Sequence, residues 1–139
     1  MKVRDLRLHM QSRVPKMANV LVAEDDPILR KVNTQILSRA GYQTTAVADG
    51  RAAWEALSTN AFDLLITDND MPNLTGMQLV AKLRRNKIRL PIILASGSAD
   101  SFSGAEYQWL DLTACLEKPF TPDDLLQTVA RILNADSTV

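Results

Sequence analysis

Short apolar runs alternate along the chain with longer segments in which apolar residues recur at every third or fourth position. The short runs contain few polar residues, which is typical of strands that are covered on both faces. Five of them are predicted as strands, at 20–23, 42–47, 64–67, 91–95 and 114–117. The longer segments between and after them are predicted as helices. This order favours an α/β fold with one parallel sheet covered on both faces.

The predicted helices begin and end at residues that suit those positions. Asp26 is a plausible N-cap because Pro27, which follows it, is well tolerated in a first helical turn. Thr121 and Pro122 start the last helix in the same way, with Asp124 three residues after the threonine. In the first helix the spacing predicts one apolar face, made of Ile28, Leu29, Val32, Ile36, Leu37 and Ala40.

Three further helices are expected between the strands. One covers roughly 51–58, and the next begins near Gly76. Residues 98–112 have the least regular pattern and are expected to contain a short helix that carries Tyr107 and Trp109. Trp109 and Trp54 are most simply core or half-buried surface residues.

Composition indicates a single globular domain with an uneven distribution of charge. The chain has 139 residues, 46% of them apolar, and a formal net charge of zero. Residues 1–16 hold five basic residues and one acidic residue, whereas residues 17–139 hold 11 basic and 15 acidic residues. We expect a basic leader at 1–17, a domain at 18–135 and a tail at 136–139. The leader is most simply a disordered tail, a remnant of expression or a stretch read from an upstream start codon, and a helix that binds a membrane surface or a partner is the alternative.

Several classes of protein are disfavoured by these numbers. The acidic body argues against a nucleic-acid groove in the main domain. No stretch approaches the roughly 20 apolar residues that a membrane span needs. Cys115 is the only cysteine, so an internal disulfide is ruled out and a reducing compartment is expected. We therefore expect a cytoplasmic protein that binds neither nucleic acid nor a membrane through this domain.

Polar residues follow the predicted strands where the carboxyl ends of a parallel sheet meet, which is where sites form in such folds. They are Glu24, Asp25 and Asp26 after the first strand, Asp68 after the third, Ser96 after the fourth and Lys118 after the fifth. Crowded carboxylates repel by about 4 kcal/mol per pair at about 4 Å and an effective dielectric near 20. A hard cation such as Mg²⁺, together with the ammonium of Lys118, would compensate for this repulsion.

This set of groups points to phosphoryl transfer, which requires mostly positioning and neutralisation of charge. Each feature alone is weak, because an acidic cluster is usually a solvated loop with a helix cap and Ser96-Gly97 alone indicates a turn. Their joint occurrence at successive strand ends is informative because it demands one shared site.

Four segments resemble the receiver domains of two-component response regulators, in particular the single-domain type that is similar to chemotaxis regulators. Residues 21–27 (LVAEDDP) resemble the first-strand signature of that family, and 68–76 match its D-x-x-M-P-x-x-x-G stretch. Residues 91–97 resemble its fourth strand, and 117–120 (EKPF) match its lysine segment. Together with the elements between them they span residues 19–133.

The resemblance implies a flavodoxin-like, doubly wound fold with five parallel strands and a site that binds Mg²⁺ or Mn²⁺. Asp68 would accept a phosphoryl group from the phosphohistidine of a histidine kinase or a phosphotransfer protein. The implied metal ligands are Asp25 directly, Glu24 through water, Asp68, and the backbone carbonyl of Asp70. Ser96 and Lys118 would bind phosphoryl oxygens, and Asp26 would serve only as a helix cap.

The resemblance also implies how the signal leaves the domain. Such a domain is not an enzyme in its own right and signals to a downstream protein, commonly through its fourth helix, fifth strand and fifth helix. Three residues before the lysine the family usually has Tyr or Phe, and here that residue is Cys115. A cysteine cannot sweep the volume of a ring, so the signal is expected to rely on another group, Tyr107 or Trp109, unless Cys115 is merely a buried strand residue.

Two other functions are compatible with parts of the sequence. Asp68-Asn69-Asp70 is also the D-x-D of haloacid-dehalogenase-type phosphatases, but those need a Thr or Val where this chain has Met71-Pro72. A docking module of the receiver type that is no longer phosphorylated is the second alternative. The complete set of acidic pair, acceptor and lysine argues against it.

Overall fold

The computed structural model describes residues 18–97 and 108–137. The strands are β1 (Asn19–Ala23), β2 (Gln43–Val47), β3 (Leu64–Asp68), β4 (Ile92–Ser96) and β5 (Ala114–Glu117). The helices are α1 (Pro27–Arg39), α2 (Gly50–Thr59), α3 (Gly76–Arg85) and α4 (Pro122–Ser137). The predicted leader, Tyr107 and most of the helix expected at 98–112 lie outside the described residues, although 108–110 are helical. The last helix continues past residue 135, where the domain was expected to end.

All five strands are parallel and form one sheet in the order β2-β1-β3-β4-β5, which confirms the predicted fold class. The chain moves outward from β1 to β2 and then returns to the other side of β1 at β3. The order of strands therefore switches between β1 and β3, and a crevice forms beyond their carboxyl ends. The acidic loop after β1 and Asp68 at the end of β3 lie at that switch point.

The three central strands, β1, β3 and β4, are buried almost throughout, because helices cover both faces of the sheet. On one face α1 and α4 pack against alternate strand residues, with Leu37, Leu125 and Val129 buried. On the other face α2 and α3 cover the remaining ones, with Ala53, Leu79 and Leu83 buried. Both sets of strand residues are apolar, which explains why the sequence shows runs and not alternation.

Helix caps agree with the predicted starts. Asp26 Oδ1 accepts hydrogen bonds from the backbone N–H of Ile28 at 2.9 Å and of Leu29 at 3.3 Å. Thr121 and Asp124 exchange hydrogen bonds of 3.1 and 3.0 Å in a capping box at the start of α4. Each cap satisfies backbone donors that the first turn of a helix leaves without a partner.

The apolar face of α1 is only partly buried. Asn33 and Leu37 face the sheet, whereas Ile28, Leu29 and Val32 are 73%, 39% and 42% exposed. Ile28 and Val32 lie on a row of side chains beside the row of Asn33 and Leu37, because residues four apart stack on one side of a helix. The apolar stripe in the sequence is thus wider than the surface that the sheet covers.

Candidate functional site

The three acidic residues in the loop after β1 have different environments. Glu24 is buried, and its backbone N–H donates to the carbonyl of Val47 at 3.1 Å. Its Oε2 accepts a hydrogen bond from the N–H of Asp26 at 3.2 Å. Asp25 is exposed, and Asp26 caps α1 as expected. Glu24 and Asp25 are therefore left to form an acidic pair.

Arg30, one turn into α1, ties this loop to the helix. Its Nη1 donates to the backbone carbonyl of Glu24 at 2.9 Å and approaches that of Asp25 at 3.5 Å. The sequence analysis did not identify this residue. The available signal was a basic residue four positions after the cap, a spacing that brings its side chain back toward the start of the helix.

Asp68 is held at the end of β3 by the loop and the helix that follow it. It is 4% exposed, and the next residue, Asn69, donates its N–H to Ala95 at 2.9 Å. Asn69 also accepts the N–H of Gly76 on its backbone oxygen at 3.0 Å and that of Met77 on its Oδ1 at 3.0 Å. A side chain at Gly76 would place its Cβ 2.4 Å from the carbonyl oxygen of Asp68, so only glycine fits there.

Lys118 reaches across the sheet from the end of β5 to the two buried acids. Its Nζ lies 3.1 Å from Glu24 Oε1 and 3.0 Å from Asp68 Oδ1. Its backbone N–H donates to the carbonyl of Ser96 at 2.9 Å, which holds the lysine segment beside the end of β4. Ser96 is itself buried at the last position of β4. The structure thus places Ser96 and Lys118 side by side, and it brings Lys118 together with Glu24 and Asp68.

Burial and charge act in opposite directions on these groups. Burial raises the pKa of Glu24, and the charge of Asp68 adds to this, although hydrogen bonds from Lys118 and from the N–H of Asp26 lower it. Burial alone would lower the pKa of Lys118, but hydrogen bonds and charges of Asp68 and Glu24 outweigh it and raise the pKa. Lys118 is therefore a fixed positive charge at neutral pH.

The carboxylates form a cluster that suits a hard divalent cation. Glu24, Asp25 and Asp68 each offer an oxygen, and these atoms lie within 4.8 Å of one another. Asp68 Oδ1 is buried and faces the ammonium of Lys118 at 3.0 Å, and it has no other polar partner among the described residues. A buried carboxylate oxygen in that state is suited to a metal ligand, and oxygen ligands fit Mg²⁺. Asp70 is exposed in the loop between β3 and α3, and its carboxylate is not in this cluster.

Cys115 is exposed on β5, at the edge of the sheet. The view that it is merely a buried strand residue is therefore wrong, because the strand alternates and its half-buried positions are Ala114 and Leu116. Trp109 is 54% exposed, with the guanidinium of Arg85 over its ring at 5.8 Å. Trp54 is half-buried, as expected, but the same expectation is wrong for Trp109, which is exposed.

Comparison with known proteins agrees with this geometry. Residues 20–130 match the model of the response regulator receiver domain. The chain belongs to that family. It is 34% identical over 111 residues to the sensor histidine kinase RcsC of Salmonella typhi, which is 80% of this chain but 12% of that protein. It is 30% identical to the transcriptional regulator NtrC of Azospirillum brasilense, over 86% of this chain and 25% of that protein. The chain thus spans only a small part of the curated relatives that it matches.

Solved receiver domains match this one over most of their length. The chemotaxis response regulator CheY4 of Vibrio cholerae has a TM-score of 0.77 and 32% identity, over 84% of this chain and 99% of that one. The Francisella response regulator 1452 receiver domain has a TM-score of 0.80 and 29% identity, over 86% and 98%. The predicted family and the flavodoxin-like receiver fold are confirmed. In the part of the receiver domain that the structure describes, no helix is long and apolar enough to cross a membrane.

Proposed function

We propose that this receiver domain takes a phosphoryl group on Asp68 and signals by contact with another protein. The observation that carries the proposal is the buried Asp68 carboxylate, which lies 3.0 Å from Lys118 Nζ and within 4.8 Å of oxygens of Glu24 and Asp25. A receiver of this kind is a signalling module and not an enzyme that turns over a substrate. The matched family disfavours the phosphatase alternative.

The proposed step exchanges one bond to phosphorus for another. An oxygen of the Asp68 carboxylate bonds to phosphorus while the bond from phosphorus to a histidine nitrogen breaks, and the imidazole leaves with that electron pair. Held by Asp25, Asp68 and the backbone carbonyl of Asp70, and by Glu24 through water, Mg²⁺ or Mn²⁺ would neutralise charge on the phosphoryl oxygens.

The protein's own groups have defined roles in this scheme. Lys118 keeps its proton and moves from the carboxylate of Asp68 to a phosphoryl oxygen, so that its charge stays paired before and after transfer. Ser96, buried beside the lysine segment, would donate its hydroxyl to another phosphoryl oxygen. Glu24 stays paired with Lys118.

The phosphodonor protein, a histidine kinase or phosphotransfer protein, would bind beside this site. The exposed row of α1 borders a groove of ≈ 320 Å³ whose lining includes Leu29, Val32, Lys118 and Phe120. An exposed apolar surface next to a reactive carboxylate is typical of a protein contact. The downstream protein would be contacted elsewhere, around the helical residues 108–110, β5 and α4. The single cysteine supports a reducing, cytoplasmic compartment.

Phosphorylation by a small molecule tests the acceptor residue alone, whereas phosphorylation by a protein donor also tests the docking surface. Acetyl phosphate with Mg²⁺ should add one phosphoryl group to the unmodified chain, and Asp68→Asn should abolish this. Val32→Glu should leave labelling by acetyl phosphate intact, but it should slow transfer from a phosphotransfer domain about tenfold or more. Gln35→Glu, on an exposed position of the same helix, is the matched control. Equal slowing by both variants would contradict the docking surface, and labelling of Asp68→Asn would contradict the phosphoacceptor.

A further inference from the structure

A second groove runs along α3, and its lining includes none of the residues of the acidic site. It has a volume of ≈ 650 Å³ and lies between that helix and residues 109–110. Leu74, Met77, Ala81 and Leu110 give it an apolar lining. This volume is in the range of pockets that hold a drug-sized ligand, so a few apolar side chains of a partner would fit in it.

Basic side chains that stack on tryptophan rings border this groove. Lys82 Nζ lies 4.4 Å from the centre of the Trp54 ring, and the guanidinium carbon of Arg85 lies 5.8 Å from that of Trp109. Each contact holds the cation and the ring in place before a partner binds, which lowers the entropy cost of binding. Trp109 is still 54% exposed, so about half of its surface is available to a partner.

The basic surface continues beyond this groove toward α2. A neighbouring hollow of ≈ 310 Å³ shares Leu74 and Lys82 with it and adds Arg51 and Trp54. Among the described residues that line the groove and the hollow, three carry a positive charge and none carries a carboxylate. Arg51 has a nearby acid in Glu55 at 4.0 Å, but both side chains are more than two thirds exposed, so that pair is weak. We call the two together the α3 groove.

We infer that the α3 groove binds an acidic, amphipathic segment of a partner protein. Its apolar side chains would enter between Met77 and Trp109, and its carboxylates would meet Lys82 and Arg85. The apolar lining is suited to apolar side chains, and the three cations among the described lining residues are suited to negative charge. Trp, Met and Arg are also among the residues that are enriched at protein interfaces.

The charge of the chain disfavours other occupants. Residues 17–139 carry 15 acidic and 11 basic residues, which opposes a nucleic acid on this body. Residues 1–16 of the same chain or of a second copy carry a surplus of four positive charges, so they do not complement a basic groove. The α3 groove is not lined by any residue of the proposed phosphorylation site, namely Glu24, Asp25, Asp68, Ser96 and Lys118. Binding to the groove can therefore be tested on the unphosphorylated chain.

The test uses a designed helical peptide of about 18 residues, with leucines on one face and glutamates along its flanks. Amide chemical shifts of the full chain and fluorescence anisotropy of the labelled peptide would be followed together. We expect saturable binding with a dissociation constant below about 1 mM and shifts that centre on residues 74–85 and 109–110. A matched peptide with lysines in place of the glutamates should bind about tenfold or more weakly.

Variants of exposed residues assign the effect to the groove without risk to folding. Arg85→Glu and Trp109→Ala should each weaken binding about tenfold. Arg39→Glu changes an exposed arginine in the last turn of α1 and should change affinity less than about twofold. Absence of saturable shifts up to about 1 mM, or equal effects of Arg85→Glu and Arg39→Glu, would overturn the proposal. Tighter binding of a single-stranded oligonucleotide, or a dimer that Arg85→Glu dissociates, would also overturn it in favour of those occupants.

Discussion

Lys118 Nζ lies 3.0 Å from Oδ1 of Asp68 and joins the last strand of the sheet to the central one through a single charge. The same ammonium group lies 3.1 Å from Glu24, so one cation compensates two buried carboxylates. Without it, Glu24 and Asp68 would be two buried carboxylates with no salt-bridge partner among the described residues. This arrangement makes the stability of the domain depend on cations at the site.

Removal of that charge should destabilise the domain. Lys118→Met leaves Glu24 and Asp68 uncompensated, and we expect a loss of about 1–3 kcal/mol in the free energy of unfolding without metal, less than for a fully buried pair since the lysine is partly exposed. Asp68→Asn in the same chain should restore part of the loss because it removes one of the repelling charges. Urea unfolding of the two single variants and the double variant measures this. Additive losses would show that the two groups do not interact.

Mg²⁺ should stabilise the folded chain by mass action. At a concentration 100-fold above its dissociation constant the gain is about 2.7 kcal/mol, seen as a rise in melting temperature. Asp25→Asn should remove most of that rise, since its carboxylate belongs to the cluster. Asp26→Asn should change it little, because Asp26 caps α1 and asparagine is also a good cap. The reverse ranking would mean that the acidic pair is assigned to the wrong residues.

The charge of Arg30 and its hydrogen bonds are expected to have opposite effects on the binding of Mg²⁺. Removal of Arg30 takes a positive charge away from the acidic loop, which by charge alone should strengthen the binding of Mg²⁺. Its hydrogen bonds hold the backbone of Glu24 and Asp25, so we expect Arg30→Ala to weaken Mg²⁺ binding several-fold instead. Titration calorimetry distinguishes the two, with Lys31→Ala, an exposed residue beside it, as the control. Stronger binding in Arg30→Ala would show that the arginine acts only through its charge.

Gly76 should be intolerant of any side chain. A Cβ there would lie 2.4 Å from the carbonyl oxygen of Asp68 and 2.9 Å from a side-chain carbon of Leu94. We expect Gly76→Ala to destabilise the fold by about 1–3 kcal/mol and to slow phosphorylation by acetyl phosphate, because the acceptor would shift. Gly97→Ala is the control, since no described residue lies within 4 Å of its Cβ position. If both variants unfold at the same denaturant concentration as the unmodified chain, the close approach does not constrain the site.

The sequence was sufficient to predict the order of elements and the residues at the strand ends, because those depend on local patterns. The run at 64–67 followed by Asp68, and the cap at Asp26, are read from neighbouring residues. The exposure of Ile28 and Val32 could not be predicted, since the apolar stripe of α1 does not reveal how much of it the sheet covers. The exposure of Cys115 could not be predicted either, because it depends on which strand lies at the edge of the sheet.

Contacts between distant residues were also beyond the sequence. The stacking of Arg85 on Trp109 and of Lys82 on Trp54 joins segments that are far apart in the chain. A cluster of basic residues at the end of a helix is most simply a solvated surface. The groove forms only because α3 packs beside α2 and residues 109–110, and the sequence does not show that packing.

The central claim is that Asp68 is the residue that carries the phosphoryl group, and its direct test is to locate that group. The chain would be incubated with acetyl phosphate and Mg²⁺, and its intact mass and its fragments would be measured by mass spectrometry. We predict one added phosphoryl group, on a peptide that contains Asp68, which hydroxylamine removes as it does any acyl phosphate. Neither Asp68→Asn nor the unmodified chain with excess chelator should be labelled. Labelling of Asp68→Asn to the same extent, or a stable modification on Asp25 or Asp70, would contradict the account.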